Sequence, residues 1–272
     1  MPEIIEVATF ARQLDTEYGE HTLEKVEVIG GRFLKSEDDT RVHLACETFP
    51  MHDVSMHSKG KFLYWQMLNH EDDPRYFFIT LGMSGSFGKR QKHSALRFQF
   101  DNGEVFFNDP RHFGTFRIVE SELELSIKLK SLGWDPLKEP NVPSDIVAKI
   151  RKHDRKKIGE FLMEQGPILC GIGNYLRAEL LFDAKISPLR TIASLSDQEI
   201  ETICQSAIDV IKEASAHGGA TIATYSDLYG IAGTYFQKFK VYGREASPDG
   251  HPVLKVKDKN GRTMHYVPEV QI

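Results

Sequence analysis

Between Val26 and Val119 apolar residues recur at every second position, and no other feature restricts the fold of this chain so tightly. The runs at 26–29, 42–45, 62–65, 76–79, 96–100, 105–107 and 113–119 turn one face to a core and one to solvent, as half-buried strands do. Asp101-Asn102-Gly103 lies between two of them and supplies a hairpin turn. Short strands at this spacing predict a β-sandwich or a barrel for the first half. A helix precedes them. Val7, Phe10, Ala11, Leu14 and Tyr18 share one of its faces, and Gly19 ends it.

The period then changes. Residues 138–144 contain Pro140 and Pro143 and read as a linker. Short helices are expected at 145–153 and 157–164, with Ser144 as an N-cap, and a third at 175–184. Ser196-Asp197 opens a long helix with Ile200, Ile203, Cys204, Ala207, Ile208 and Ile211 on one side, and Gly218-Gly219 closes it. Residues 220–234 show no periodicity, and a loop of this length in a compact domain is often functional. Strands are expected again at 239–242, 253–256 and 263–267, with Asn260-Gly261 as the last turn. Strands followed by helices in 272 residues predict an α+β chain of two domains.

No apolar run is long enough to span a membrane, and the first residues lack the basic and apolar stretches of a secretory leader. Cys46, Cys170 and Cys204 are far apart and form no CxxC pair, so neither a zinc site nor a disulfide framework is expected. An intracellular protein of a reducing compartment follows, in the cytoplasm or nucleoid, or the nucleus of a eukaryote. The net charge of −5 argues against a nucleic-acid partner for the chain taken whole. Binding needs only a local basic surface, however, and residues 149–157 and 238–262 are both rich in lysine and arginine.

The chain begins Met1-Pro2-Glu3-Ile4-Ile5-Glu6. Removal of Met1 leaves Pro2 as a free secondary amine. An α-amine titrates near ~7.7–8, well below lysine, so a neutral nucleophilic fraction exists at physiological pH. Glu3 stands beside it as a proton carrier. Gly171-Ile172-Gly173-Asn174 opens a helix, where backbone amides and the helix dipole favour an anion, although the same residues also fit a plain turn. Met83 in the 81–87 loop and Phe113 in the 108–114 loop are residue types that wedge between bases, or are simply core. Lys61 leads into a strand, facing solvent or a phosphate.

Taken in order, these segments resemble the formamidopyrimidine-DNA glycosylase and endonuclease VIII family of base-excision repair enzymes. The resemblance rests on Met1-Pro2-Glu3 with Glu6, KGKFL around Lys61, LGMSGSF with NDPRHFG, LMEQGPILCGIGNYLRAELLFDAKISP, and FKVYGRE, and it spans nearly the whole chain. It implies an N-terminal β-sandwich catalytic domain over 1–137, a helical domain with a helix–two-turn–helix motif over 138–235, and a β-hairpin finger over 236–272. It implies that Pro2 attacks the sugar of a damaged nucleotide flipped into a pocket, that Glu3 moves protons, and that Glu6 shapes the pocket. Lys61, Asn174 and Arg262 are then phosphate contacts, with Lys61 and Arg262 part of the catalytic set. Met83, Arg111 and Phe113 fill the gap in the duplex, Arg111 facing the orphaned base. The implied partners are damaged double-stranded DNA and abasic-site DNA. The protein is expected to act as a monomer, away from membranes, without cofactor or metal.

Three departures qualify the resemblance. Many relatives end in a four-cysteine zinc finger, whereas no cysteine follows Cys204 here, and Ser247, Val267 and Val270 stand about where ligands would be. Ile4-Ile5 replaces the usual Leu-Pro or Gly-Pro, and Thr80 replaces a common histidine. The expected activity is removal of oxidised bases with β,δ-elimination at the resulting abasic site, ring-opened purines and hydantoins first and 8-oxoguanine among the candidates. The alternatives are an enzyme specific for oxidised pyrimidines, a non-catalytic lesion binder of the same fold, and a small-molecule enzyme using an N-terminal proline as base.

Overall fold

The computed structural model describes residues 2–35, 40, 44, 47, 49–221 and 225–272. The chain forms two compact units: Pro2, Glu6–Lys130 and Ala220–Gly233 in one, and Glu3–Ile5, Ser131–Gly219 and Thr234–Ile272 in the other.

The first unit is a β-sandwich. Its helix α1 (Ile4–Tyr18) is followed by eight strands: β1 (Leu23–Val28), β2 (His52–Lys59), β3 (Phe62–Leu68), β4 (Pro74–Thr80), β5 (Ser86–Gly88), β6 (Ser94–Phe100), β7 (Gly103–Asn108) and β8 (Thr115–Val119). They form two antiparallel sheets of order β1-β6-β7-β5 and β2-β3-β4-β8. The pleat fixes which residues meet inside. Leu63 pairs with Ile79 and Trp65 with Phe77, while Leu96 and Phe98 pair with Phe107 and Val105. These residues, with Val7, Phe10, Ala11 and Leu14 of α1, make one apolar core. Trp65 is fully buried there, its ring within 6.2 Å of those of Phe77, Phe87, Phe98 and Phe100. Trp65→Ala is expected to cost about 3–5 kcal/mol in denaturant unfolding, the usual penalty for deleting a large aromatic side chain from a packed core.

Two strands and one helix of this unit escape the sequence pattern. In β2 only Val54, Met56 and Ser58 point inward, between polar neighbours. The strand β5 has three residues. Helix α2 (Glu122–Ser131) buries Leu125 but exposes Leu123 and Ile127. The strand expected at 42–45 lies outside the described residues except Leu44, which is helical.

The second unit contains α3 (Ile146–Arg151), α4 (Ile158–Phe161), α5 (Asn174–Asp183), α6 (Asp197–Ala216) and the hairpin β9 (Leu254–Lys257) and β10 (Thr263–Tyr266). α6 starts with a capping box: Ser196 Oγ accepts from Glu199 N at 3.1 Å, and Glu199 Oε2 accepts from Ser196 N at 2.6 Å. The expected cap at Ser144 is corrected. The N-cap of α3 is Asp145, and its side chain makes no capping bond. The strand expected at 239–242 is also absent. A 3-10 turn occupies Tyr235–Lys238, and the amides of Lys240, Val241 and Tyr242 donate to the buried carboxylate of Glu179 at 2.8, 3.1 and 2.8 Å. One acid on α5 therefore takes the place of a neighbouring strand.

Candidate functional site

The first residues of the chain are built into the second unit. Glu3 is buried, and its carboxylate accepts from the amides of Gly173 at 2.7 Å, Tyr175 at 2.9 Å and Leu176 at 3.3 Å. These are donors that the first turn of α5 leaves without partners, and the helix dipole favours the negative charge placed on them. The two glycines before the helix make this possible. A Cβ on Gly173 would lie 2.2 Å from Glu3 Cδ, and one on Gly171, whose φ is +90°, would lie 2.5 Å from Ile4 Cδ1. Ile4 N also donates to Gly171 O at 3.1 Å. Of the two sequence readings of these residues, an anion site or a plain turn, the structure shows amides that hold an anion of the chain itself, the carboxylate of Glu3.

This arrangement also accounts for Ile4-Ile5. Both side chains are buried, Ile4 against Gly171. Ile5 lies in the first turn of α1, where the backbone N–H has no intrahelical acceptor, so proline and isoleucine are both tolerated there. Pro2 itself is buried.

Asn174 opens α5. Its carbonyl oxygen accepts from the guanidinium of Arg177, and its side chain is hydrogen-bonded to the Tyr242 hydroxyl. Burial raises the Tyr242 phenol, and the Asn174 bond offsets part of that rise. Arg177 is 1% exposed. It donates to Gly159 O at 3.0 Å, Asp258 Oδ2 at 2.9 Å and Thr263 O at 3.4 Å. Asp258 in turn folds the hairpin turn that carries Arg262. Its Oδ1 accepts from Asn260 N and Arg262 N, each at 2.9 Å, and Gly261 takes φ +75°. The Arg262 side chain is exposed.

Burial pushes the Asp258 carboxyl up, but the Arg177 hydrogen bond and the amides of Arg262 and Asn260 outweigh it, and the group ends below its ordinary value. A carboxyl lowered on folding contributes stability that is complete above its unfolded pKa of ~3.9 and is lost as pH falls through the folded value. Thermal midpoints of the native chain and of Asp258→Asn are therefore expected to differ at neutral pH and to converge below pH ~4.

Ser247, Val267 and Val270 do not form a zinc site. Val267 belongs to an apolar cluster with Ala178, Phe182, Val241 and Val253, against which Val270 packs. Ser247 Oγ accepts from His251 N at 3.2 Å to close a turn. Valines and a hydroxyl offer no thiolate or imidazole, so this donor set does not fit zinc. Among the described residues no cluster of His, Cys, Asp and Glu is arranged to hold a metal.

In the first unit the two loops with Met83, Arg111 and Phe113 meet. Met83 is 43% and Phe113 52% exposed, so the simple core reading is overturned. Gly82, at φ +58°, leaves no room for a side chain: its Cβ would come within 2.6 Å of Phe113 backbone atoms. Arg111 lies over the Phe113 ring at 5.2 Å. Buried Asp109 accepts from Gly114 N at 2.7 Å and holds the loop closed. Thr80 shares a 2.7 Å hydrogen bond with Thr115, which accounts for the polar residue at that position. Lys61 follows Gly60, where φ is +55°, and is half-buried in the turn immediately before β3. Buried Glu6 accepts from Ala220 N at 2.8 Å, fixing one end of the 220–233 loop. Tyr225 of that loop packs edge-on against Phe10, and Gln13 bonds to Asp227 and Leu228 at 2.7 and 3.0 Å.

Much of the basic run at 149–157 serves structure. Lys149 pairs with Asp145, Lys156 with Glu164, and Arg151 with Asp197 and two carbonyls. Sequence reasoning missed Arg177, Glu179 and Asp258. Each is a charged residue in a segment that buries it, and burial is the one signal that such a residue has a fixed partner.

Comparison with known proteins identifies the family. The N-terminal domain of formamidopyrimidine-DNA glycosylase matches residues 1–116, and the H2TH domain of the same enzyme matches residues 132–226. The chain belongs to the formamidopyrimidine-DNA glycosylase family. A Bacillus cereus formamidopyrimidine-DNA glycosylase is 31% identical over 285 residues, covering 100% of this chain and 99% of the relative. The crystal structure of the MutM (Fpg) protein of Thermus thermophilus superposes with a TM-score of 0.84 at 28% identity, covering 99% of this chain and 98% of that one. A Lactococcus lactis Fpg variant in complex with Fapy-dG-containing DNA gives 0.84 at 27% identity, with 99% of each chain covered. The family thus extends over both units.

Proposed function

We propose that this chain is a DNA glycosylase with abasic-site lyase activity, and that Pro2 is its nucleophile. The observation that carries this reading is the seat of Glu3. Three backbone amides hold the carboxylate directly after Pro2 in the chain, in a family whose members are named for base excision. A carboxylate fixed in this way is a positioned proton carrier. The neutral amine of Pro2 bonds to the anomeric carbon of the damaged nucleotide as the base departs with the glycosidic electron pair. The C1′–O4′ bond then breaks as O4′ takes a proton, which opens the sugar and leaves an iminium at C1′. Loss of a C2′ proton expels the 3′ phosphate, and loss of the C4′ proton then expels the 5′ phosphate.

Damaged or abasic duplex DNA is the partner. Lys61, Asn174 and Arg262 are read as phosphate contacts, which offset the net charge of −5 by placing positive charge and amide donors locally. Exposed Met83 and Phe113, with Arg111 over the Phe113 ring, have the character of a wedge that fills the gap left by a flipped nucleotide. Ring-opened purines and hydantoins are the preferred lesions, and the Fapy-dG complex of the Lactococcus relative supports the first of these. The hairpin at 254–266 is a finger without zinc, packed by valines, and the protein acts as a monomer.

A cleavage panel of defined lesions in labelled duplexes tests the reading. Gaps with phosphate at both ends are expected from ring-opened purines and hydantoins. Intact strands left with an abasic site contradict the lyase step, and untouched lesions contradict the glycosylase.

A further inference from the structure

We infer that Arg177 is a positioning residue that sets two DNA contacts at once: the side-chain amide of Asn174 and the turn that carries Arg262. The inference rests on the phosphate roles proposed above for those two residues. The guanidinium is buried in the second unit and has partners on both its own helix and the hairpin. On its own helix it donates to the Asn174 carbonyl oxygen. Asn174 offers one acceptor and one donor group, so a bond that takes the oxygen turns the amide NH2 the other way. On the hairpin, Arg177 binds Asp258 Oδ2 and Thr263 O, while Asp258 Oδ1 gathers the amides of Asn260 and Arg262. A fourth bond to Gly159 O fixes the plane of the guanidinium against α4.

The site is buried throughout, with the side chains of Arg177 and Asp258 each 1% exposed. A rigid planar fork in a dry setting does not swing, so its partners keep a set geometry. Lysine could hold the ion pair with Asp258 as a point charge, but it cannot serve Asn174 and three oxygens in one plane. Surface attraction needs no such construction. A buried charged pair is also a poor device for stability alone, because its desolvation offsets most of its attraction. Positioning is the gain that the geometry offers.

The test uses the full chain, a duplex with a tetrahydrofuran abasic-site analogue, and binding measured across a salt series. Arg177→Lys keeps a buried cation opposite Asp258, and a thermal melt verifies folding. Its affinity is expected to fall roughly tenfold, and the slope of log affinity against log salt by about one, the signature of one lost phosphate contact. Single-turnover excision at saturating DNA is measured beside binding, so that the loss of affinity is separated from any change in the chemical step. Asn174→Ala should weaken the native chain but add little on top of Arg177→Lys. A cycle of Asn174→Ala with Arg262→Ala leaves the core untouched, and coupling through Arg177 and Asp258 makes their losses less than additive.

A lowered melting temperature with unchanged affinity and salt slope in Arg177→Lys would reduce the residue to scaffold and overturn the inference. So would full additivity of Asn174→Ala on Arg177→Lys. If Asn174→Ala and Arg262→Ala both bind as tightly as native, the phosphate contacts themselves are refuted and the inference falls with them. If both weaken binding and their losses are fully additive, the phosphate contacts stand and the coupling through Arg177 is overturned.

Discussion

Alanine at position 173 is expected to remove base excision while leaving the chain folded. Gly173 has φ −121° and ψ −157°, an extended conformation open to any residue, so the substitution introduces no backbone strain. What it introduces is a methyl group 2.2 Å from Glu3 Cδ and 2.4 Å from Glu3 Oε1. One of the two must move, and the carboxylate is at the end of a side chain while the Cβ is fixed to the backbone. The expected loss in single-turnover excision of a ring-opened purine is about 10²–10⁴-fold, the range for a displaced general acid or base. Displacing Glu3 from its three buried amides is expected to cost about 3–5 kcal/mol in unfolding, since each unsatisfied donor costs about 1–3 kcal/mol, and a thermal melt verifies that the variant is folded. Binding to an abasic-site analogue should persist. Native excision rates in Gly173→Ala would show that the seat of Glu3 has no part in the chemistry.

The second large effect is on stability. Glu179 is buried on α5 and accepts from three consecutive amides, those of Lys240, Val241 and Tyr242. Burial raises this carboxyl, and the three amides oppose the rise without cancelling it. Removing the side chain leaves three buried donors without their acceptor. Since each unsatisfied group costs about 1–3 kcal/mol, Glu179→Ala should lower unfolding free energy by roughly 3–5 kcal/mol. It should also loosen Tyr242, which is packed against Tyr175, Phe239 and His265 and hydrogen-bonded to Asn174. Urea titration measures the first effect. A change below about 1 kcal/mol would mean that water replaces the carboxylate freely. The raised carboxyl also carries a pH sign opposite to that of Asp258. Its unfavourable ionised form develops as pH rises through the carboxylate range, so the native chain loses stability there that Glu179→Gln does not.

The sandwich was legible because its strands are half-buried, and the pleat writes burial into every second residue, as at Leu63, Trp65 and Met67. The pattern failed where burial does not follow it. Strand β2 mixes His and Ser into its faces, β5 is three residues long, and α2 leaves Leu123 and Ile127 in solvent. At 239–242 the alternation of Phe239, Lys240, Val241 and Tyr242 suggested a strand, but the backbone donors there meet a side chain and not a neighbouring strand.

The site divides in the same way. Pro2, Glu3, Lys61, Met83, Arg111, Phe113 and Asn174 stood out through short motifs, whose residue order is local. The pairings that hold Glu3 and Asn174 were not local. Glu3 meets amides about 170 residues away, and Arg177 meets Asp258 across 81. No periodicity encodes such distances. Glu3 was singled out for its chemistry, while its role as the anion on α5 followed only from the geometry.

Borohydride trapping on abasic duplex DNA, followed by proteolysis and mass mapping of the adduct, tests the nucleophile most directly. Protein trimmed of Met1 is expected to carry the reduced sugar on its N-terminal peptide at the nitrogen of Pro2. An adduct on a lysine such as Lys61, or none at all from protein that still binds the same DNA, would contradict it.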